Sequence, residues 1–157
     1  LLVGPSHLAR FARAFLFEPP MKLALRRQAE KNASLWARFA CWCIKARLVS
    51  VYCHGAIVIG DRVYESTRLG LHSSPFVEDE WDLFDLGTER DLAALQLFEQ
   101  HMGTGYDWFS LIAFVLPWPA RDARRFYCFE WCHLAITGDN PGSRVTPETL
   151  LIDIRGK

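Results

Sequence analysis

The sequence carries no excess of either charge: Lys+Arg and Asp+Glu both total 18 in 157 residues. Balanced charge leaves no electrostatic footprint for nucleic acid or for an anionic membrane surface. No run approaches the roughly 18–20 apolar residues that span a bilayer, so no stable membrane insertion is expected. Leu111–Leu116 is strongly apolar but short, and Pro117 and Pro119 close it. Finger-like CxxC pairs are also missing. The thiol and imidazole groups of Cys53-His54 and of Cys128-x3-Cys132-His133 leave a structural zinc site as a minor alternative. Cys41 and Cys43 fall two apart on an expected helix, where side chains point to different sides. Neither metal nor cofactor is called for. There is no internal repeat and no low-complexity segment, and nothing in the sequence sets an oligomeric state.

Five cysteines are an odd number and cannot all pair within the chain. Their spacing is not that of a small secreted disulfide framework, so free thiols in a cytoplasmic or otherwise reducing compartment are expected. The length suits one domain with an ordinary core. Residues 1–20 read as an accessory N-terminal segment, or as sequence upstream of a natural start at Met21, with 21–157 as a single domain. The abundant aromatics, six Trp and eleven Phe among them, read first as core.

Met21–Leu48 reads as helical, with Asn32 and Ser34 as candidate break points. Composition turns β-rich at Val49. Two strand-like runs, Val49–Ile59 and Arg62–Thr67, flank Gly60-Asp61, the signature of a hairpin with a two-residue turn. That turn sets the register. Val58 faces Val63, Ala56 faces Glu65, and His54 lies on the same face as Glu65 and diagonal to it. A loop with Gly70 and Ser73-Ser74-Pro75 follows, then a strand over Trp81–Leu86. Thr88 reads as an N-cap with Asp91 at the capping-box position. Leu92, Leu95, Phe98 and Met102 form the expected buried stripe, and Gly103 the stop. Asp107 is a good N-cap for an apolar helix over Trp108–Leu116, with a loop to Arg125. A buried helix runs from Cys128 to Gly138, and Thr146-Pro147-Glu148 opens a last short one. The fold class expected is α+β, an antiparallel sheet centred on residues 49–86 packed against helices.

Cys128 begins its helix, where unpaired backbone N–H groups and the dipole stabilise a thiolate. His54 on a rigid strand and Glu65 on its neighbour supply a base and a group to fix its tautomer. His72 or Asp82 is an alternative to Glu65 as third member. Trp81, Tyr106, Trp108 and Tyr127 are candidates to line a substrate groove, with core packing as the competing role for each.

The segment Ser50–Ile59, followed by Val63-Tyr64-Glu65-Ser66-Thr67, resembles the histidine hairpin of the permuted papain-like enzymes, the YiiX/YaeF-like branch of the NlpC superfamily. Tyr127-Cys128-Phe129-Glu130 is similar to the family's aromatic-Cys-Ser-Glu helix start, with Phe129 where serine is common. Gly105-Tyr106-Asp107-Trp108 is similar to the Tyr-Asp before the intervening helix. The order His…Glu…Cys is the reverse of the ordinary papain-like order. The resemblance implies a circularly permuted papain-like (NlpC-type) fold and a cysteine hydrolase, amidase or peptidase. Cys128 would be the nucleophile, His54 the base and Glu65 the orienter, acting through a thioester on a peptide-like or acylated small substrate. The substrates implied extend to cell-wall peptides and lipids. The competing reading is a non-catalytic binding module on the same fold.

Overall fold

The computed structural model describes residues 20–107, 125–140 and 145–155. The accessory segment up to residue 19, the helix expected over Trp108–Leu116 and the loop through residue 124 lie outside these described residues.

The described chain is α+β. Five strands form one antiparallel sheet: β1 (Met21–Arg26), β2 (His54–Ile59), β3 (Arg62–Thr67), β4 (Gly70–Pro75) and β5 (Asp82–Gly87), in the order β4-β3-β2-β1-β5. Four helices are described: α1 (Leu35–Leu48), α2 (Asp91–His101), α3 (Cys128–Thr137) and α4 (Pro147–Arg155). The hairpin register is as the turn dictates, with Val58 paired to Val63 and Ile59 to Arg62 around Gly60 at φ +62°. A left-handed position at the turn suits glycine because it carries no Cβ.

The helix expected over Met21–Leu48 is not one element. Ser34 caps α1 by accepting from the Ala37 amide at 3.2 Å, but Met21–Arg26 is a strand. Its Met, Lys, Leu and Ala residues favour helix locally. Its alternation, with Met21, Leu23 and Leu25 in the main core and Ala24 on the other face, fits a strand paired on both sides, to β2 and β5. The stretch expected as a loop after Gly70 is also a strand, β4. It lies at the sheet edge and ends on Pro75, where a missing N–H is tolerated. In α2 the buried residues are Asp91, Ala94 and Phe98, while Leu92 and Met102 of the expected stripe are exposed.

The five cysteines are not all free. Cys41 on α1 is bonded to Cys53, next to the start of β2, leaving Cys43, Cys128 and Cys132 as thiols. An odd count forbids complete pairing but not one pair, so the expectation of free thiols holds for Cys43, Cys128 and Cys132 only.

The main core lies between one sheet face and α3. Leu23, Leu25, Ile57 and Ile59 meet Phe129, Trp131, Cys132 and Ile136 there. Helix α3 is locked to β3 twice: the Trp131 indole N–H donates to the Tyr64 carbonyl at 2.9 Å, and the Ser66 hydroxyl to the Phe126 carbonyl at 2.6 Å. A left-handed Gly138 ends α3, and Arg90 donates to the Thr137 carbonyl there. The other sheet face carries only a small cluster, Ala24, Ala56, Val58 and Val63, partly covered by Phe76, Trp81 and Leu83.

Candidate functional site

Strand alternation puts His54 and Glu65 on that thinly covered face, and the two side chains meet: His54 Nε2 is 2.7 Å from Glu65 Oε2. Of the alternatives to Glu65, Asp82 is turned elsewhere, accepting from the Tyr52 hydroxyl at 2.8 Å and pairing with Arg27. His72 stands behind Glu65, with Nε2 at 3.8 Å from Oε1, while its Nδ1 lies 2.9 Å from the Gly70 carbonyl.

Cys128 is the first residue of α3, and its sulfur is one of the groups that raise the pKa of the His54 imidazole. The stem of α3 packs on the opposite sheet face, against Gly55, so sulfur and imidazole meet at the starting end of β2. A Cβ on Gly55 would stand 2.9 Å from the Phe129 ring and 3.3 Å from the Cys132 sulfur. Glycine after the histidine is therefore what lets the cysteine helix approach. Phe129 fills the space beside it. Glu130 accepts from the Tyr127 amide at 3.3 Å and satisfies a donor at the helix start.

The charges of the three groups are interdependent. Burial opposes a charged imidazole, but the hydrogen bonds and charges of Cys128 and Glu65 outweigh it and raise His54 to about 10. Burial likewise pushes the Glu65 carboxyl up, yet His54, with smaller contributions from His72 and Arg26, holds it below the usual carboxylate range. This is an imidazolium held between a sulfur and a carboxylate. Cys132, one turn along, is different: burial drives its thiol well above the ordinary range, as befits a packing residue. His133 sits 3.2 Å from Asp153 and ties α3 to α4. With Cys53 in a disulfide as well, the thiol and imidazole groups considered for zinc are dispersed. Among the described residues no group of three His, Cys, Asp or Glu side chains is placed to hold a metal.

The expected groove residues separate. Trp81 lies beside the imidazole, ring centroids 5.8 Å apart, with the Arg26 guanidinium 4.0 Å above the indole. Tyr106 is buried; burial first, then the Cys128 sulfur, pushes its phenol well above the usual range. Tyr127 does not line a groove. It is buried, and its hydroxyl donates to the Val145 carbonyl and accepts from the Val145 amide, both at 2.8 Å. Trp108 lies outside the described residues.

A cleft of about 440 Å³ reaches Glu65 from the thinly covered face, bordered by Arg26, Lys31, Val63, Pro75 and Trp81. Arg26 was not legible as a site residue. As part of an expected helix it had no reason to face the histidine, whereas in β1 it is the direct partner of His54. Comparison with protein-family models, curated proteins and solved structures finds no match to this chain.

Proposed function

We propose that the chain is a cysteine-dependent hydrolase of the permuted papain-like kind, cleaving an amide or ester through a thioester. The observation that carries this reading is the 2.7 Å contact of His54 with the Glu65 carboxylate, on an imidazole whose pKa the Cys128 sulfur also raises. A core cysteine or a structural histidine alone would need neither partner.

In the proposed cycle the Cys128 proton already rests on His54 Nδ1, the nitrogen that Glu65 does not occupy, as the raised imidazole requires. The sulfur then attacks the substrate carbonyl carbon, and the charge that develops on oxygen is met by N–H groups at the start of α3 and by the Tyr106 hydroxyl. His54 returns the proton to the departing amine or alcohol as that bond breaks, leaving the thioester. Water enters, gives its proton to His54, and attacks the thioester. Collapse releases the carboxylic acid and the sulfur anion beside protonated His54, restoring the starting pair, and Glu65 holds the imidazole orientation throughout. The cleft beside Trp81 reaches Glu65 but is lined by neither His54 nor Cys128, so the proposed peptide-like or acylated substrate rests on the chemistry of the three residues. Cys128 is only 1 % exposed, so the reagent that tests it must be small.

Iodoacetamide followed by peptide mass analysis is that test. Cys128 is expected to be alkylated below neutral pH ahead of Cys43 and Cys132, and His54→Ala to remove the preference. Labelling that follows exposure alone, with Cys43 first and no dependence on His54, would indicate an inert module.

A further inference from the structure

Helix α1 is unlike the other helices because none of its residues is buried. Its inner side is held by the Cys41–Cys53 bond, by Lys45 Nζ donating to the Arg27 carbonyl at 3.1 Å, and by Ile44 and Leu48 against the core. Its outer side is apolar. Trp36, Phe39 and Trp42 follow one another at spacings of three, Leu35 lies four before Phe39, and Leu35, Trp36, Phe39 and Trp42 are 83 %, 69 %, 52 % and 65 % exposed. The rings form a continuous ridge, with Trp36 and Phe39 centroids 5.8 Å apart and Phe39 and Trp42 6.1 Å apart. Helical spacing sets Arg38 and Lys45 along one flank of this ridge and Arg47 along the other, and α1 contains no acidic residue.

A second observation lies on the Arg38 flank. An open hollow of about 460 Å³ separates α1 from residues 27–31 and is bordered by Arg27, Lys31, Arg38, Trp42 and Lys45. Arg27 is paired with Asp82, and the one acid at the border, Glu30, is paired with Arg26. Lys31 and Arg38 have no ion-pair partner among the described residues. The zero net charge of the chain therefore conceals a local cationic rim around an exposed aromatic ridge.

We infer that α1 is a docking surface for an anionic phospholipid bilayer: Trp36, Phe39 and Trp42 enter the interface, and the Lys31–Arg38 hollow receives a lipid phosphate. Indole rings favour the headgroup level, where an apolar body and a polar N–H are both accommodated. Cationic flanks beside such a ridge, with the one bordering acid, Glu30, already paired to Arg26, match a negatively charged leaflet. A helix of 14 residues lies in this interface and does not cross it. The inference concerns a surface and does not depend on the chemistry assigned to Cys128.

The test is co-sedimentation of the full chain with phosphatidylcholine vesicles containing about 30 mol% phosphatidylglycerol. Wild type is expected to pellet with these vesicles, to bind neutral vesicles more weakly, and to show a blue shift of tryptophan emission on binding. The combined Trp36→Ser, Phe39→Ser and Trp42→Ser variant should lose about tenfold or more in partitioning while keeping its circular dichroism and melting temperature. Lys31→Glu with Arg38→Glu should lose a similar factor on anionic vesicles only, which keeps the test decisive should the serine variant fold poorly. Wild type remaining in the supernatant would overturn the inference, as would equal pelleting by both variants. A concentration-dependent dimer that the serine variant loses, with no vesicle binding by wild type, would assign the ridge to a second copy of the chain and likewise overturn it.

Discussion

The Phe129 ring lies so close to Gly55 that a Cβ on the glycine would sit 2.9 Å from it. This contact fixes how near the cysteine helix comes to the histidine strand, and the ring cannot swing away because it is itself buried. Gly55→Ala is therefore expected to destabilise the fold by about 1–3 kcal/mol through overpacking and to slow Cys128 alkylation by displacing the helix start. Chemical denaturation measures the first effect. Phe129→Ala in the same chain should make the glycine substitution less costly, a coupling that a double-mutant cycle reads directly.

Glu65→Gln keeps a hydrogen-bonding oxygen beside His54 and removes its charge. The imidazole pKa of about 10 should then fall, because one of the groups raising it is gone. Titration of the His54 ring protons by NMR measures this. On the proposed mechanism, hydrolysis should fall by about tenfold to a hundredfold, with its alkaline limb moved to lower pH. A limb and a ring titration both unchanged would remove Glu65 from the site.

Stability should follow the same pair with opposite signs at the two ends of the pH scale. His54 is raised in the folded state, so its contribution is full below its ordinary 6.5 and fades as pH climbs through about 10. Glu65 is lowered, so its contribution is present above its ordinary 4.5 and is lost as pH falls below that value. The difference in unfolding free energy between wild type and Glu65→Gln should accordingly be greatest near neutrality and shrink toward both extremes. A difference that stays flat from acid to alkali would contradict the pairing.

Tyr106→Phe removes the hydroxyl beside the Cys128 sulfur and leaves the ring that fills the space. Loss of one donor to a developing oxyanion lowers kcat by up to about a hundredfold or more in well-formed sites. A fall in kcat with KM little changed is expected here, and a change in KM alone would show that the hydroxyl only binds substrate.

The Cys41–Cys53 bond spans 12 residues and joins α1 to the strand that begins with His54. Opening it should cost about 2–4 kcal/mol and lower the melting temperature under reducing agent. Cys41→Ala should show the lowered value from the outset and no further response to the reductant.

The meeting of His54 and Glu65 was legible because it rests on local rules. Gly60-Asp61 fixes the hairpin turn, the turn fixes the register, and period-two alternation then brings His54 and Glu65 to one face. Cys128 was legible because an apolar run with a glycine stop shows where its helix begins and ends. What was not legible depends on partners distant in sequence. Met21–Arg26 has helix-favouring residues and becomes a strand through pairing with β2 and β5. Gly70–Pro75 has turn residues and becomes a strand because β3 has a free edge. Tyr127 reads equally well as groove or core, and only its bonds to Val145 decide for core. Cys41 and Cys53 come together because α1 folds back along the start of β2, a return that spacing alone does not encode.

His54 precedes Cys128 by 74 positions (128 − 54), so a ribosome makes the histidine first and the cysteine about 4–15 s later. In that interval the sheet strands have all been made, yet Leu23, Leu25 and Ile57 have no helix α3 to cover them. The nascent chain is thus chemically silent and adhesive at once. Stalled chains ending before residue 128 should be bound by ribosome-associated chaperones, and chains extended past α4 should release them. Arrival of the helix would then close the core and bring Cys128 to the histidine strand in a single event, so that on the proposed mechanism completion of the fold is the step that switches the chemistry on.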